Sequence, residues 1–222
     1  MKLPARLPVM PLPNAILFPR VLLPLYIFEE RYRQMLEACL TGERMFVVAL
    51  LRKGWEDEGR NPTPYSVACV GTIRTSVARP DGTSNLILEG VTRVSIREYV
   101  QMRPYRIAKI DSLESLAGSG GAAQADLVNA VSSLAEARAR MGAELPETVL
   151  ASLREIKDAD YLSDLVSYMM LENFHEKQLM LETLDVKARQ RALVKFLERQ
   201  ARQVDLWKKL QGKLPNENIG HN

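Results

Sequence analysis

The sequence predicts an α+β fold, a β-rich amino-terminal half followed by a helical half that closes on one long helix. Three observations predict it. Prolines at 8, 11, 13, 19 and 24 lack an N–H and fix their own φ, which bars a long helix before Phe28. From residue 46 to 110, short apolar or alternating runs lie between Gly and Pro breakers, the pattern of strands and turns. Beyond the Gly-rich stretch around 118–121 the spacing becomes that of helices. The expected boundaries are 1–115 for the β-rich unit, 116–125 for a flexible linker and 126–222 for a helical bundle.

Val9, Ile16 to Phe18 and Val21 to Leu23 suit short buried strands. From Glu29, the residues Tyr32, Met35, Leu36 and Cys39 fall on one helix face that Gly42 ends. Glu29 and Glu30 stand where the helix dipole favours negative charge. Phe46 to Leu51 is a continuous apolar run, hence a buried strand, and Arg52 to Pro64 a polar loop. Val67, Cys69, Gly71, Ile73, Thr75 and Val77 alternate with more polar neighbours in a half-buried strand. Pro80-Asp81-Gly82 is a turn, proline presetting φ and glycine accepting φ > 0. Asn85 to Glu89 is the return strand, Val94 and Ile96 mark another, and Tyr105 to Ile110 the last. In the second half, Asp126 caps a helix to Arg140, and Pro146 opens a second over Glu147 to Ile156. Asp158 to Leu171 is a third, Asn173 with Glu176 is a capping box for a fourth through Leu184, and Asp185 caps the last, to about Gln211.

Several elements in this map carry a resemblance. They are Pro-Leu-Pro-Asn at 11–14, Leu-Phe-Pro at 17–19, Leu-Pro-Leu at 23–25 and Ile-Phe-Glu-x-Arg-Tyr-Arg at 27–33. Val70-Gly71-Thr72-Ile73, Pro80-Asp81-Gly82, Leu88-Glu89-Gly90-Val91-x-Arg93-Val94, Pro104-Tyr105-Arg106-x-Ala108 and Glu182-Thr183-Leu184-Asp185 continue them. In order and spacing, over about residues 7–200, the chain resembles the amino-terminal, substrate-binding domain of Lon protease. The resemblance implies a PUA-like β-barrel followed by a helical bundle. It also implies a non-catalytic module for unfolded or damaged polypeptides, or for a specific protein partner, acting as an adaptor or binder. The chain reads as a free-standing form without the ATPase and peptidase domains.

Catalytic signatures are not found. No G-x-x-x-x-G-K-[ST] cradle occurs, because Gly212-Lys213 is followed by Leu214 and lacks the upstream glycine. His175 and His221 are far apart, and with only Cys39 and Cys69 beside them no zinc spacing appears. No cofactor, no metal and no enzymatic activity are expected. The Glu56-Asp57-Glu58 group lies in a polar loop and reads as solvated. Two cysteines on apolar faces read as buried, reduced thiols. Prolines interrupt any secretory h-region, and no run approaches the length of a membrane span, so a cytoplasmic protein is expected.

The candidate partner contacts are Trp55, in a Gly/Pro-rich loop with little apolar sequence around it, Arg103 and Tyr105 beside Pro104, and Trp207 on the last helix. That helix carries Lys187, Arg189, Arg191, Lys195, Arg199, Arg202, Lys208, Lys209 and Lys213, which reads as the solvated face of a bundle helix. Its apolar side is Leu193, Phe196, Leu197, Val204, Trp207 and Leu210, and the exposed end of the helix with Trp207 leaves room for a homodimer. A second reading is an RNA-associated protein. Residues 1–125 hold 16 Lys+Arg against 12 Asp+Glu, with Arg74, Arg79, Arg93, Arg97, Arg103 and Arg106 along the strands. Peptide binding through an apolar groove or a sheet edge near the junction of the two halves is the first reading.

Overall fold

The computed structural model describes residues 3–59, 61–116 and 121–211. Five strands pair in a circuit. β1 (Arg6–Leu12) runs parallel to β3 (Met45–Leu50), which pairs antiparallel with β4 (Val67–Ala78). β4 pairs with β5 (Ser84–Gln101), β5 with β6 (Arg106–Leu113), and β6 returns to β1. The circuit encloses its own apolar cluster, Leu7, Val9, Val47, Ala49, Ala68, Val70, Val94, Ala108 and Ile110, drawn from all five strands by period-2 alternation. β2 (Leu22–Ile27) stands outside the circuit on the first half of β5, from Leu22 opposite Glu89 to Ile27 opposite Ser84.

β5 is one strand of 18 residues where the sequence pattern suggests two. Gly90 lies at the division but is not a break. A Cβ there would fall 1.9 Å from the Phe18 carbonyl oxygen. The close approach lets the Arg20 N–H donate to the Gly90 carbonyl (2.7 Å) and the Gly90 N–H to the Val21 carbonyl (3.0 Å). Ile16, Leu17 and Phe18 are buried as expected, but in this irregular crossing and not in a strand.

α1 (Glu30–Thr41) presents Tyr32, Met35, Leu36 and Cys39 to a second and larger core, which continues into the bundle. The bundle comprises α2 (Ala122–Ala139), α3 (Glu147–Glu155), α4 (Ala159–Met170), α5 (Phe174–Glu182) and α6 (Val186–Gln211). Three side-chain caps are in place. Asp158 accepts from the Tyr161 N–H (3.0 Å), Asn173 from the His175 N–H (2.8 Å) and Asp185 from the Ala188 N–H (2.8 Å). Two starts differ from expectation. α2 begins at Ala122, before Asp126, because the small residues after Gly121 extend the helix, and Pro146 is the residue before α3. Of the expected linker, 117–120 lies outside the described residues, as do Lys213 and His221.

The halves are joined by a buried ionic cluster. Arg93, on the face of β5 opposite Val94, donates from Nη1 to Asp164 Oδ2 of α4 (2.9 Å) and from Nε to the Leu181 carbonyl (3.0 Å). Arg189 of α6 donates to Asp164 Oδ1 (2.9 Å), to the Thr183 carbonyl (2.9 Å) and to Ser115 Oγ (3.2 Å), and also binds Asp160. Arg93, Asp164 and Arg189 are 2%, 1% and 0% exposed. This corrects the placement of both arginines on solvated faces. The alternation along β5 holds, but the bundle, not water, covers its outer side. Burial pushes the Asp164 carboxyl up, while Arg93 and then Arg189 pull it back.

Removing one member of such a cluster strands the others in the interior. Asp164→Ala is expected to cost about 3–5 kcal/mol in urea unfolding. Arg97→Ala, at a pair with Asp111 that is more than half exposed on both sides, is expected to cost less than about 1 kcal/mol. Equal effects of the two would show that the cluster does not hold the halves together.

Candidate functional site

An open apolar surface lies on β2 and its neighbours. β2 alternates cleanly: Leu23 and Ile27 are buried, while Leu22 (54%) and Tyr26 (48%) face out, followed by Phe28 (60%). The Tyr26 and Phe28 rings stack with centroids 5.8 Å apart, and the Arg79 guanidinium lies 5.4 Å from the Tyr26 ring. Across the sheet Tyr26 is opposite Asn85 and Asn85 opposite Val77, so exposed Val77 of β4 joins the same outward row. A shallow hollow of about 380 Å³ lies here, lined by Pro24, Tyr26, Thr75, Val77 and Ile87 among others. β2 pairs only with β5, which leaves its other side a sheet edge, and Pro24 fits an edge because it has no N–H to offer a central ladder.

A second concavity sits where the β3–β4 loop meets the start of α5. This cleft of about 540 Å³ is lined by Pro13, Arg52, Trp55, Glu172, Phe174 and His175, with their neighbours. Gly54 adopts φ 83°, and Trp55 opens a 3-10 turn, Trp55–Glu58, in which it is half-buried against the cleft. His175 is exposed, and its Nδ1 lies 3.2 Å from the Tyr65 hydroxyl. Glu58, of the acidic loop group, accepts from the Thr63 N–H (2.6 Å), and hydrogen bonding from the Thr63 side chain first and its N–H second holds its carboxyl below the usual range.

The other sequence candidates are dispersed. Arg103 and Tyr105 occupy the β5–β6 turn, Arg103 exposed and Tyr105 half-buried, with Gln101 donating to the Tyr105 carbonyl (3.0 Å). Strand directions put this turn and the Trp55 loop at the same end of the circuit, because β3 and β5 both finish there. Trp207 stands apart on α6, 64% exposed beside Leu206 and Leu210. Of the six arginines singled out in the β-rich half, Arg93 and Arg106 are buried, Arg74 pairs with Glu89 and Arg97 with Asp111, while Arg79 and Arg103 lie outside the strands. They do not form an open basic face.

The family model for the ATP-dependent protease La (LON) substrate-binding domain matches residues 6–199. The chain belongs to this family. Among similar proteins, the Lon protease of Dictyoglomus thermophilum is 28% identical over 97% of this chain, and that of Azospirillum brasilense 27% identical over 95%. The Lon-type chain described here spans about a quarter of these relatives, 27% and 26% of their lengths. The N-terminal domain of a Mycobacterium avium complex Lon protease superposes with a TM-score of 0.69 at 17% identity, covering 87% of this chain and 98% of that one. A Lon N-terminal domain protein from Xanthomonas campestris gives 0.61 at 19%, covering 86% and 97%. These two likenesses show the shared fold.

In this Lon-family fold, the residue types that do chemistry are sequestered or scattered. Among the described residues no group of three or more His, Cys, Asp or Glu could hold a metal ion, and no helix is long and apolar enough to cross a membrane. Cys39 and Cys69 are buried, and burial pushes the Cys39 thiol up to about 12 and the Cys69 thiol up as well. A thiol held protonated by the fold adds stability below its unfolded pKa. That contribution is lost as the pH rises through the unfolded value towards about 12. At pH 8 both thiols should therefore react with Ellman's reagent far more slowly in the native protein than in urea. Rapid native labelling would contradict the burial.

Proposed function

We propose that this Lon-family domain recognises polypeptide and seats an extended segment against β2 and the outward face shared by β2, β5 and β4. The observation that carries the reading is the exposed set of Leu22, Tyr26, Phe28 and Val77 beside a sheet edge. Scattered exposed apolar residues are ordinary, but a contiguous set containing a stacked aromatic pair is the surface that partners bury. A strand edge supplies main-chain hydrogen bonds whatever the side chains of the guest, which suits a binder of many unfolded sequences. The names of the relatives, Lon proteases, and of the family, a substrate-binding domain, support the same class of ligand.

On this reading the paired circuit is a PUA-like barrel, residues 1–115 and 126–222 are its β-rich and helical units, and the domain acts as a non-catalytic adaptor or binder. Trp55 in the junction cleft, with Arg103 and Tyr105 at the same end of the circuit, offers a second contact region. Trp207 suits a contact between copies or with another chain. The RNA reading loses its main support, because four of its six arginines are buried or paired.

The test is fluorescence anisotropy with a labelled, permanently unfolded polypeptide. The double variant Tyr26→Ser/Phe28→Ser should weaken binding by at least about tenfold, given that exposed aromatic anchors each carry more than about 1 kcal/mol. Its thermal stability should change little, since both side chains face water. Raising salt from about 50 to about 200 mM should leave the affinity nearly constant, whereas nucleic-acid binding would fall steeply. Unchanged affinity in the double variant would sink the assignment of this face.

A further inference from the structure

From Val21 to Phe28 the chain reads Val-Leu-Leu-Pro-Leu-Tyr-Ile-Phe, apolar throughout and without a charge. An edge strand of this kind invites pairing with a second copy of itself. Folded proteins blunt such edges with a charge, a bulge, a cover or a proline. The β2–β5 ladder runs from Leu22 opposite Glu89 to Ile27 opposite Ser84 without the register shifts found between β4 and β5 and between β5 and β6. Among the described residues no further strand covers its other side, and no backbone hydrogen bond from a turn or loop ends on Leu22, Pro24 or Tyr26. Of the usual devices, β2 carries only the proline, and Pro24 is exposed.

The ladder shows which way its main chain faces. The Gly90 N–H donates to the Val21 carbonyl (3.0 Å), and the pairing from Leu22 onward continues that register. In an antiparallel ladder successive residues turn their N–H and C=O alternately towards and away from the neighbour. Leu23, Leu25 and Ile27 therefore face β5, while Leu22, Pro24 and Tyr26 face the open edge. That edge offers a carbonyl at each of the three positions but an N–H only at Leu22 and Tyr26.

The missing donor does not weigh equally on all partners. A foreign strand laid along β2 meets Pro24 once and lacks one bond. A pair of copies joined edge to edge is two-fold symmetric, so each brings its own Pro24. Centred on Pro24, such a pair sets Leu22 of one copy against Tyr26 of the other and has no bond at its middle. Shifting the register moves the two gaps apart but removes neither while both prolines stay within the ladder. We infer that Pro24 is the specificity element of this edge: it withholds the N–H that self-pairing needs twice and a foreign strand needs once, and so reserves β2 for other chains. The inference rests on the polypeptide reading and deepens it.

Two variants test this. Pro24→Val restores the N–H on an apolar side chain. A hydrogen bond of ordinary net worth changes an equilibrium roughly fivefold, so affinity for a labelled unfolded polypeptide should rise about fivefold in anisotropy, at concentrations where the variant is monomeric. Self-association, followed by sedimentation from about 1 to about 200 μM, should rise by about 25-fold, for two bonds regained. The labelled polypeptide should dissociate the resulting dimer. Pro24→Lys also restores the N–H but places a charge on the edge, so it should bind polypeptide more tightly than the parent and stay monomeric. Circular dichroism and thermal melting check that each variant is folded. Unchanged self-association and unchanged polypeptide affinity in both variants overturn the role of Pro24, and the polypeptide reading stands if Tyr26→Ser/Phe28→Ser still loses binding. A Pro24→Val dimer that the polypeptide cannot dissociate lies on another surface and overturns the inference too. So does loss of folding in both variants, which marks Pro24 as a residue the strand requires. No binding of polypeptide by the parent chain overturns both readings.

Discussion

Two guanidinium groups on one buried carboxylate set the relation between the sheet and the helices. Asp164 belongs to α4, Arg189 to α6 and Arg93 to β5, so a single contact fixes three elements from both halves. Their remaining donors are taken by the carbonyls of Leu181 and Thr183 and by Ser115, which leaves little freedom to slide. Apolar surfaces would pack in several registers at similar energy, whereas a satisfied polar network accepts one. Smaller contacts follow the same seam. Gln178 donates to the Val67 carbonyl (2.9 Å), and Arg20 binds Asp158 while lying 4.6 Å from the Tyr161 ring. The cleft beside Trp55 has walls from both halves, so its shape is a product of this docking.

Much of the fold was legible because its signals are local. The α1 stripe needs only the spacing of Tyr32, Met35, Leu36 and Cys39, and the caps at Asp158, Asn173 and Asp185 depend on residues within three positions of each. The order of the motifs carried the family, since Gly90 and the prolines around it encode a backbone crossing that few sequences build. What local signals do not contain is the identity of the neighbour. Arg93 has the outward phase of a surface strand residue and Arg189 the spacing of a basic helix face, yet both outward faces meet another element. The length of β5 was hidden for a related reason: glycine marks a strand end as often as a close approach, and only the position of Phe18 decides between them.

The candidate site was less legible. Leu22 to Phe28 is apolar almost throughout, which reads as a strand covered on both faces, whereas the structure covers only the side of Leu23 and Ile27. Pro24 was the available signal, because a proline inside such a run belongs at an edge. Trp55 was singled out for its polar surroundings in sequence, and its cleft partners Phe174 and His175 are more than a hundred positions away.

β5 has a different companion on each side of Gly90. Towards Ser84 it carries β2, and towards Gln101 it carries β6, while β4 accompanies it from Ser84 to Ser95. The bonds to β2 can therefore open without loosening any link of the closed circuit. What holds β2 besides that one ladder is the burial of Leu23 and Ile27 in the larger core. Detaching β2 would thus break into the larger core while leaving the ring of strand pairings whole.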